Sequence, residues 1–132
     1  MLTINVKPQT IPDKSYNIFV QNGCVDKLYD FLKKEKLGDD YALITDSRTE
    51  KLFGKSLANS LRKKGLRVEI ISFEAGEKSK TLTTVEEMAE KMISKNLDRK
   101  DAVLVLGGGV VGDIGGFLAS IFMRGIPYIQ IP

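Results

Sequence analysis

The stretch that decides the fold is Ala102-Val103-Leu104-Val105-Leu106-Gly107-Gly108-Gly109-Val110-Val111-Gly112-Asp113. Its first five residues are all apolar, the pattern of a parallel strand covered on both faces. Glycines follow at once and open a second apolar stretch, so the sequence reads as strand, tight turn and helix. Six of the twelve glycines lie within 107–116. Taken as G-x-G-x-x-G, Gly107, Gly109 and Gly112 stand between a buried strand and a helix, the context in which such a turn cradles a pyrophosphate. Residues without Cβ let backbone N–H groups approach the phosphate oxygens, and the positive end of the following helix points at the same oxygens. The alternative is that these glycines serve only close packing of helix on sheet. Two features depart from the usual pattern. The turn belongs to a late βα unit, and no acidic residue stands about twenty positions downstream to take a ribose.

Working outward, short apolar runs alternate with helical patterns, the layout of an α/β domain. Residues 2–7 and 16–21 read as strands joined through Pro8, Pro12 and Asp13, an N-terminal β-hairpin at one edge. Residues 25–36 read as a helix, with Val25, Leu28, Tyr29 and Leu32 at helical spacing. A strand over 41–45, a helix over 49–64 closed by Gly65, and a strand over 67–73 follow. A polar loop over 75–80 leads to a helix over 84–95 with Val85, Met88, Ala89 and Met92 on one face. After the glycine turn and its helix, 128–131 reads as a last strand, apolar enough to expect further chain to cover it.

Composition sets the outer limits. The chain has 132 residues, 42% hydrophobic and 28% charged, enough to bury a core and too apolar for disorder. It has no histidine, so it offers no His-containing zinc site and no triad with His as base. The single cysteine, Cys24, cannot form an internal disulfide, in keeping with a reducing compartment. No signal-peptide run or membrane span is expected. Net charge is +3, but Lys and Arg alternate with acidic residues, and Lys33, Lys34, Lys36, Arg62, Lys63 and Lys64 fall at expected helix ends, where cations suit the dipole. No nucleic-acid partner is expected. Between 101 and 132 only Asp101, Asp113 and Arg124 are charged, so this segment reads as central and buried, and its few charges need reasons.

Asp46 follows its strand directly and would lie on the same carboxyl edge of a parallel sheet as the glycine turn, placed to take a ribose. Its alternative is the N-cap of the next helix. Gly76, Glu77 and Lys80 occupy the next strand-to-helix loop on that edge, so three loops converge on one crevice. In a continuous helix Asp113 and Arg124 would share a face roughly 16 Å apart, too far to pair, and each would need its own partner. Asp113 could instead serve only the helix dipole, and Arg124 could lie past the helix end in solvent.

The block over 107–116, GGGVVGDIGG, followed by Phe117, by Met123-Arg124-Gly125-Ile126-Pro127 and by Ile129-Gln130-Ile131-Pro132, resembles the N-terminal domain of 3-dehydroquinate synthase, within the sugar-phosphate cyclases. Gly76-Glu77-Lys78-Ser79-Lys80-Thr81-Leu82 and Ser15-Tyr16-Asn17-Ile18 resemble the same family at the same spacing, so the resemblance covers essentially the whole chain. It implies an α/β, Rossmann-like fold with a mostly parallel sheet and helices on both faces. The implied activity is that of a lyase of the shikimate pathway, converting 3-deoxy-arabino-heptulosonate 7-phosphate to 3-dehydroquinate and phosphate. Transient oxidation by NAD, phosphate elimination, re-reduction and aldol closure accomplish this with no net redox change.

By the same resemblance, NAD contacts would come from Asp46, from Ala75, Gly76, Glu77, Lys78, Ser79 and Lys80, and from Gly108, Gly109, Val110, Val111, Gly112 and Asp113. Arg124 would meet anionic groups of the sugar-phosphate substrate. Position 48 departs from the family, with Arg48 where many members carry Asn, which bears on the ribose contact and on phosphate-bearing NAD. The family's zinc or cobalt ligands, a Glu and two His, would lie past Pro132, so no metal ligand and no catalytic residue is assigned here. Residues 1–132 are thus expected to be the NAD-binding part of a longer, cytoplasmic, homodimeric two-domain enzyme, lacking the helical metal-binding domain. Another cyclase, such as an inosose or aminocyclitol synthase, and a non-catalytic nucleotide-binding module remain alternatives. The chain alone is expected to bind NAD weakly or not at all and to show no product in a turnover assay.

Overall fold

The computed structural model describes residues 1–6 and 15–132. The expected loop through Pro8, Pro12 and Asp13, and Lys7 of the first expected strand, lie outside the described residues. The chain divides into two compact units, Met1–Lys34 and Glu35–Pro132. Among the described residues no helix is long and apolar enough to cross a membrane.

In the first unit, β1 (Leu2–Val6) and β2 (Tyr16–Val20) form an antiparallel pair, with Leu2 opposite Val20 and Val6 opposite Tyr16. The hairpin is a separate two-stranded sheet. Strand alternation puts Leu2, Ile4, Val6, Tyr16, Ile18 and Val20 on one side and Thr3, Asn5, Asn17 and Phe19 on the other. On that second side Asn5 Nδ2 donates to Asn17 Oδ1 at 2.8 Å, and Phe19 meets the Phe31 ring edge-on with centroids 5.4 Å apart. The expected helix over 25–36 starts later. Gly23 is left-handed, Cys24–Lys27 is a 3₁₀ turn, and α1 runs from Leu28 to Glu35.

The second unit is built on four parallel strands, β3 (Tyr41–Asp46), β4 (Val68–Phe73), β5 (Ala102–Leu106) and β6 (Tyr128–Ile131), in the order β4-β3-β5-β6. The central strands β3 and β5 are buried along almost their whole length, as their unbroken apolar runs require. After β3 come α2 (Ser47–Thr49), a π turn (Glu50–Gly54) and α3 (Lys55–Lys63) without a break in helical backbone. Gly65, at φ 91°, closes the run as expected, its N–H donating to Arg62 O. Helix α4 (Leu82–Ser94) starts two residues before the expected boundary because Thr81 is the N-cap, accepting from Thr84 N at 3.1 Å.

One face of the sheet, with Ala42, Ile44, Val103 and Val105, packs on Val85, Met88 and Met92 of α4 and on Val111, Ile114 and Leu118 of α5 (Gly109–Ile121). The alternate residues Leu43, Thr45 and Leu104 point to the other side, where the π turn and α3, with buried Ala58 and Leu61, lie. The chain leaves β3 for β4 on one side and then passes back over β3 to β5 and β6. The strand order therefore reverses between β3 and β5.

Two charges of the apolar segment find their explanation here. Asp101 is buried at 4% exposure, and its two carboxylate oxygens accept from Asp40 N at 3.0 Å and Asp98 N at 2.6 Å, fixing the entries to β3 and β5. Helix α5 does not continue to Arg124. It ends at Ile121, and a 3₁₀ turn follows in which Met123 (φ 48°) and Arg124 (φ 68°) are left-handed, so Asp113 and Arg124 share no helix face.

The close contact of α5 on β5 is made at Gly115, where a Cβ would stand 2.7 Å from both methyls of Val105. Gly115→Ala is expected to cost about 1–3 kcal/mol by overpacking. At the neighbouring Gly116, an added methyl would meet only the Tyr128 ring at 3.8 Å. Gly116→Ala should be neutral or stabilise by up to about 1 kcal/mol through the unfolded state. Urea denaturation compares the two directly, and equal destabilisation would contradict the packing account.

Candidate functional site at the carboxyl edge of the sheet

Open parallel sheets bind ligands beyond the carboxyl ends of their strands, where strand order reverses. Here that place lies between β3 and β5, and three loops meet on it. Thr45 Oγ1, buried at the end of β3, donates to Leu106 O at 2.8 Å and ties the first loop to the third. Ala75 N donates to Ser47 Oγ at 3.1 Å and ties the second to the first. Lys80 Nζ stands 2.7 Å from Asp113 Oδ2 and ties the second to the third. The convergence expected from the sequence is what the structure shows.

Within the third loop the glycines divide their work. Gly107, at φ 150°, keeps its N–H on Ile131 O, and a Cβ there would strike Val111 at 2.7 Å. At Gly112 a Cβ would meet Gln130 Nε2 at 2.8 Å. Gly115 serves the packing of helix on sheet that the alternative reading held. Gly107 instead makes room for Val111 of its own following helix, and Gly112 meets only the flexible end of Gln130. Gly108 and Gly109 are different, being exposed with no atom within 4 Å of where a Cβ would stand. Gly108 is the N-cap of α5 and brings no side-chain acceptor, so the first-turn amides of the 13-residue helix have neither a helical nor a capping partner among the described residues. Val110 contributes to the wall of the core and Val111 is buried in it, leaving only their backbone available to the crevice.

Asp46 ends β3 and is an N-cap, its Oδ1 accepting from Arg48 N at 3.0 Å and Thr49 N at 2.7 Å. The capped helix opens at Ser47 rather than near Thr49, and Oδ2 has no hydrogen-bond partner among the described residues. In the second loop Gly76 takes φ 122°, Glu77–Ser79 form a 3₁₀ turn, and Ser79 Oγ donates to Glu74 O at 2.5 Å. Lys78 is exposed, and Glu77 lies 4.0 Å from Lys80. Asp113 is thus neither buried nor unpaired, contrary to the expectation drawn from its apolar surroundings.

Arg124 is not brought to this cluster. It lies beyond the far end of α5, next to the start of β6, where it lines a cavity of about 340 Å³ with Arg99 and Met123. Ser47, Thr45 and Gln130 escaped the sequence reading. For Gln130 there was a signal, a polar residue inside the apolar strand Tyr128–Ile131; for the other two, small hydroxyls at a strand end gave none.

A pyrophosphate fits the open start of α5, which a Cβ at 108 or 109 would fill. The described residues form no divalent-metal site by themselves. There is no histidine, and no group of three His, Cys, Asp or Glu able to hold an ion occurs among the described residues.

Residues 70–132 match the family model for the N-terminal part of 3-dehydroquinate synthase. The resemblance read from the sequence holds. The chain is 44% identical over 131 residues to 3-dehydroquinate synthase of Clostridium kluyveri, covering 99% of this chain and 35% of that protein. To the enzyme of Streptococcus agalactiae it is 41% identical over 122 residues, 92% of this chain and 34% of that one. Among solved structures, 2-deoxy-scyllo-inosose synthase complexed with carbaglucose-6-phosphate, NAD+ and Co2+ superposes with a TM-score of 0.85 at 27% identity, over 99% of this chain and 35% of that one. A 2-epi-5-epi-valiolone synthase from Streptomyces hygroscopicus subsp. jinggangensis 5008, with NAD+ and Zn2+ bound, gives 0.76 at 29% identity, over 96% and 35%. The chain spans about a third of the length of these relatives.

The hydrogen bond and charge of Asp113, with a smaller effect from Glu77, hold the Lys80 ammonium above its ordinary value of 10.5. Since the folded value exceeds the unfolded one, the pair's contribution is complete below pH 10.5 and is lost as pH rises through the raised value. Asp113→Asn should therefore lower the Lys80 titration midpoint toward 10.5, read from the side-chain NMR signals of Lys80. An unchanged midpoint would show that the two groups do not meet in solution.

Proposed function

We propose that this chain supplies the dinucleotide-binding part of a 3-dehydroquinate synthase, a cytoplasmic, homodimeric enzyme that takes 3-deoxy-arabino-heptulosonate 7-phosphate to 3-dehydroquinate and phosphate. The observation that carries the reading is the uncapped first turn of α5 behind Gly108 and Gly109, opening on the strand-order reversal between β3 and β5. Backbone amides with no internal acceptor, at the positive end of a helix, form a site for the pyrophosphate of NAD. Asp46 offers its free Oδ2 to a ribose hydroxyl while Oδ1 stays on the helix it caps. Lys80, already poised over the crevice by Asp113, adds a positive charge that a bound anion can share. Bound there, NAD supplies a reversible hydride acceptor, so a reaction without net redox change can pass through a ketone.

Asp113 and the turn over 75–80 keep the crevice walls in register, through Lys80 on one side and the Ala75 to Ser47 bond on the other. Arg124, the proposed contact for the substrate's anionic group, stands at the opposite edge of the sheet. Within one copy it shares no crevice with the cofactor residues. Among the described residues there is no donor set for a metal, and no step is assigned to one. Identity favours a 3-dehydroquinate synthase over an inosose synthase, at 44% against 27%.

The test suits weak binding. Titration of the isotope-labelled chain with NAD should shift the amide NMR signals of Gly108, Gly109, Val110 and Asp46. Gly108 has φ −75° and open space around it, so Gly108→Leu should fold normally yet block the approach and abolish those shifts. Shifts that survive the substitution, or that fall elsewhere, would refute the site.

A further inference from the structure

The four-stranded sheet parts at its carboxyl edge. Strand β3 stays paired with β4 to its last residue, Asp46 opposite Phe73, and β5 stays paired with β6 to its last, Leu106 opposite Ile131. Between β3 and β5 the pairing stops earlier, at Ile44 opposite Val105. Past that point a side-chain bond takes over from the backbone ladder. Thr45 Oγ1 donates to Leu106 O at 2.8 Å, joining residues 61 apart in sequence. Thr45 is fully buried, at 0% exposure.

Packing alone does not ask for a hydroxyl here. Tyr41 to Ile44 before it are buried, and a valine at 45 would have the same shape, suit a strand and need no hydrogen-bond partner. The packing is done by the methyl group, since a Cβ at Gly54 of the π turn would stand 3.6 Å from Thr45 Cγ2. A branched Cβ is stiff at χ1, so seating the methyl against Gly54 holds the hydroxyl toward Leu106. The two residues joined in this way precede the two halves of the candidate site. Asp46, with its free Oδ2, follows Thr45, and Gly107 and Gly108 follow Leu106 and open the uncapped turn of α5. The Lys80 to Asp113 pair also spans the crevice, but its side chains are roughly half exposed and hold less firmly.

We infer that Thr45 is a positioning residue, whose hydroxyl fixes the separation between Asp46 and the first turn of α5 so that one dinucleotide meets both. This rests on the dinucleotide reading above. Being buried, Thr45 itself meets no ligand. A ligand that spans the gap gains affinity only where both of its ends engage together, whereas a ligand confined to one side does not sense the separation.

Amide NMR titrations of the chain with NAD, with inorganic pyrophosphate and with adenosine measure the spanning ligand and its two halves. Thr45→Val keeps the shape and removes the hydroxyl. It should weaken NAD binding about tenfold, while pyrophosphate and adenosine each change by less than about twofold. Thr45→Ser restores the hydroxyl and should bind NAD within about threefold of the parent chain. Val68→Ala, a buried truncation at the start of β4, controls for lost stability and should leave all three constants within about twofold. The inference is overturned, with the dinucleotide reading left standing, by a Thr45→Val variant that binds NAD like the parent chain or loses all three ligands alike. A serine variant as weak as the valine one has the same force. In the parent chain, where no variant has to fold, the Thr45 hydroxyl proton should exchange with water more slowly with NAD bound than with pyrophosphate and adenosine added together. Equal exchange rates overturn the inference as well. Failure of NAD to perturb Gly108 and Gly109 in the parent chain overturns the dinucleotide reading and this inference together.

Discussion

The close approach of α5 to β5 is the constraint on which the rest of the second unit depends. Gly115 lets the helix settle until the Val105 methyls fill the space a side chain would need. Gly107 still donates to Ile131 O, so the helix begins while the chain is held at the end of a central strand. A Cβ at 115 would overlap the Val105 methyls at 2.7 Å, so the helix could not sit this close to the strand. Once α5 is seated, its uncapped amides have nowhere to point but the place where strand order reverses. The core beneath, from Ile44 and Val103 to Met88 and Leu118, is the consequence of that seating as much as its cause.

The carboxyl edge is held together by polar contacts of very different strength. The Thr45 hydroxyl is buried and bound to Leu106 O, so its loss would leave an orphaned acceptor in the core. The Lys80 and Asp113 side chains are roughly half exposed, and water screens their pairing. Such a pair orients a loop without locking it. The Asp46 cap and the Gly107 N–H to Ile131 O bond are backbone contacts of a different kind, set by the ends of β3 and β6.

The parallel core was legible because β3 and β5 carry apolar runs that only a doubly covered strand tolerates, and Ala102–Leu106 and Tyr128–Ile131 fall on the expected residues. Helix starts were less legible. Asp46 was weighed as a cap, but a π turn over Glu50–Gly54 lets the helix open at Ser47, and nothing in local composition announces a π turn. Thr81 outcompeted the apolar periodicity that pointed to residue 84, since capping acts one residue outside the pattern it starts. The G-x-G-x-x-G spacing falls on the turn between β5 and α5, but the surroundings of its glycines differ. Two of its three glycines face neighbouring side chains, and the open position it passed over is Gly108. Periodicity shows which residues lack a side chain, while only the fold shows what that side chain would have struck.

The left-handed turn over Met123 and Arg124 has a wider consequence. Read as one uninterrupted motif, the stretch from Gly107 to Pro132 suggests a single site, yet α5 spans 13 residues, about 20 Å, and delivers its two charged flanks to opposite edges of the sheet. Asp113 joins Lys80 over the crevice, and Arg124 joins Arg99 at the other end. Left-handed backbone at two consecutive non-glycine residues is costly, and here it ends the run of α5 and turns the chain toward β6. A dinucleotide and a substrate anion bound by these two groups could not be neighbours within one copy. The motif that carries the family resemblance is contiguous in sequence and divided in space, so each half needs its own functional argument, made from the residues that surround it.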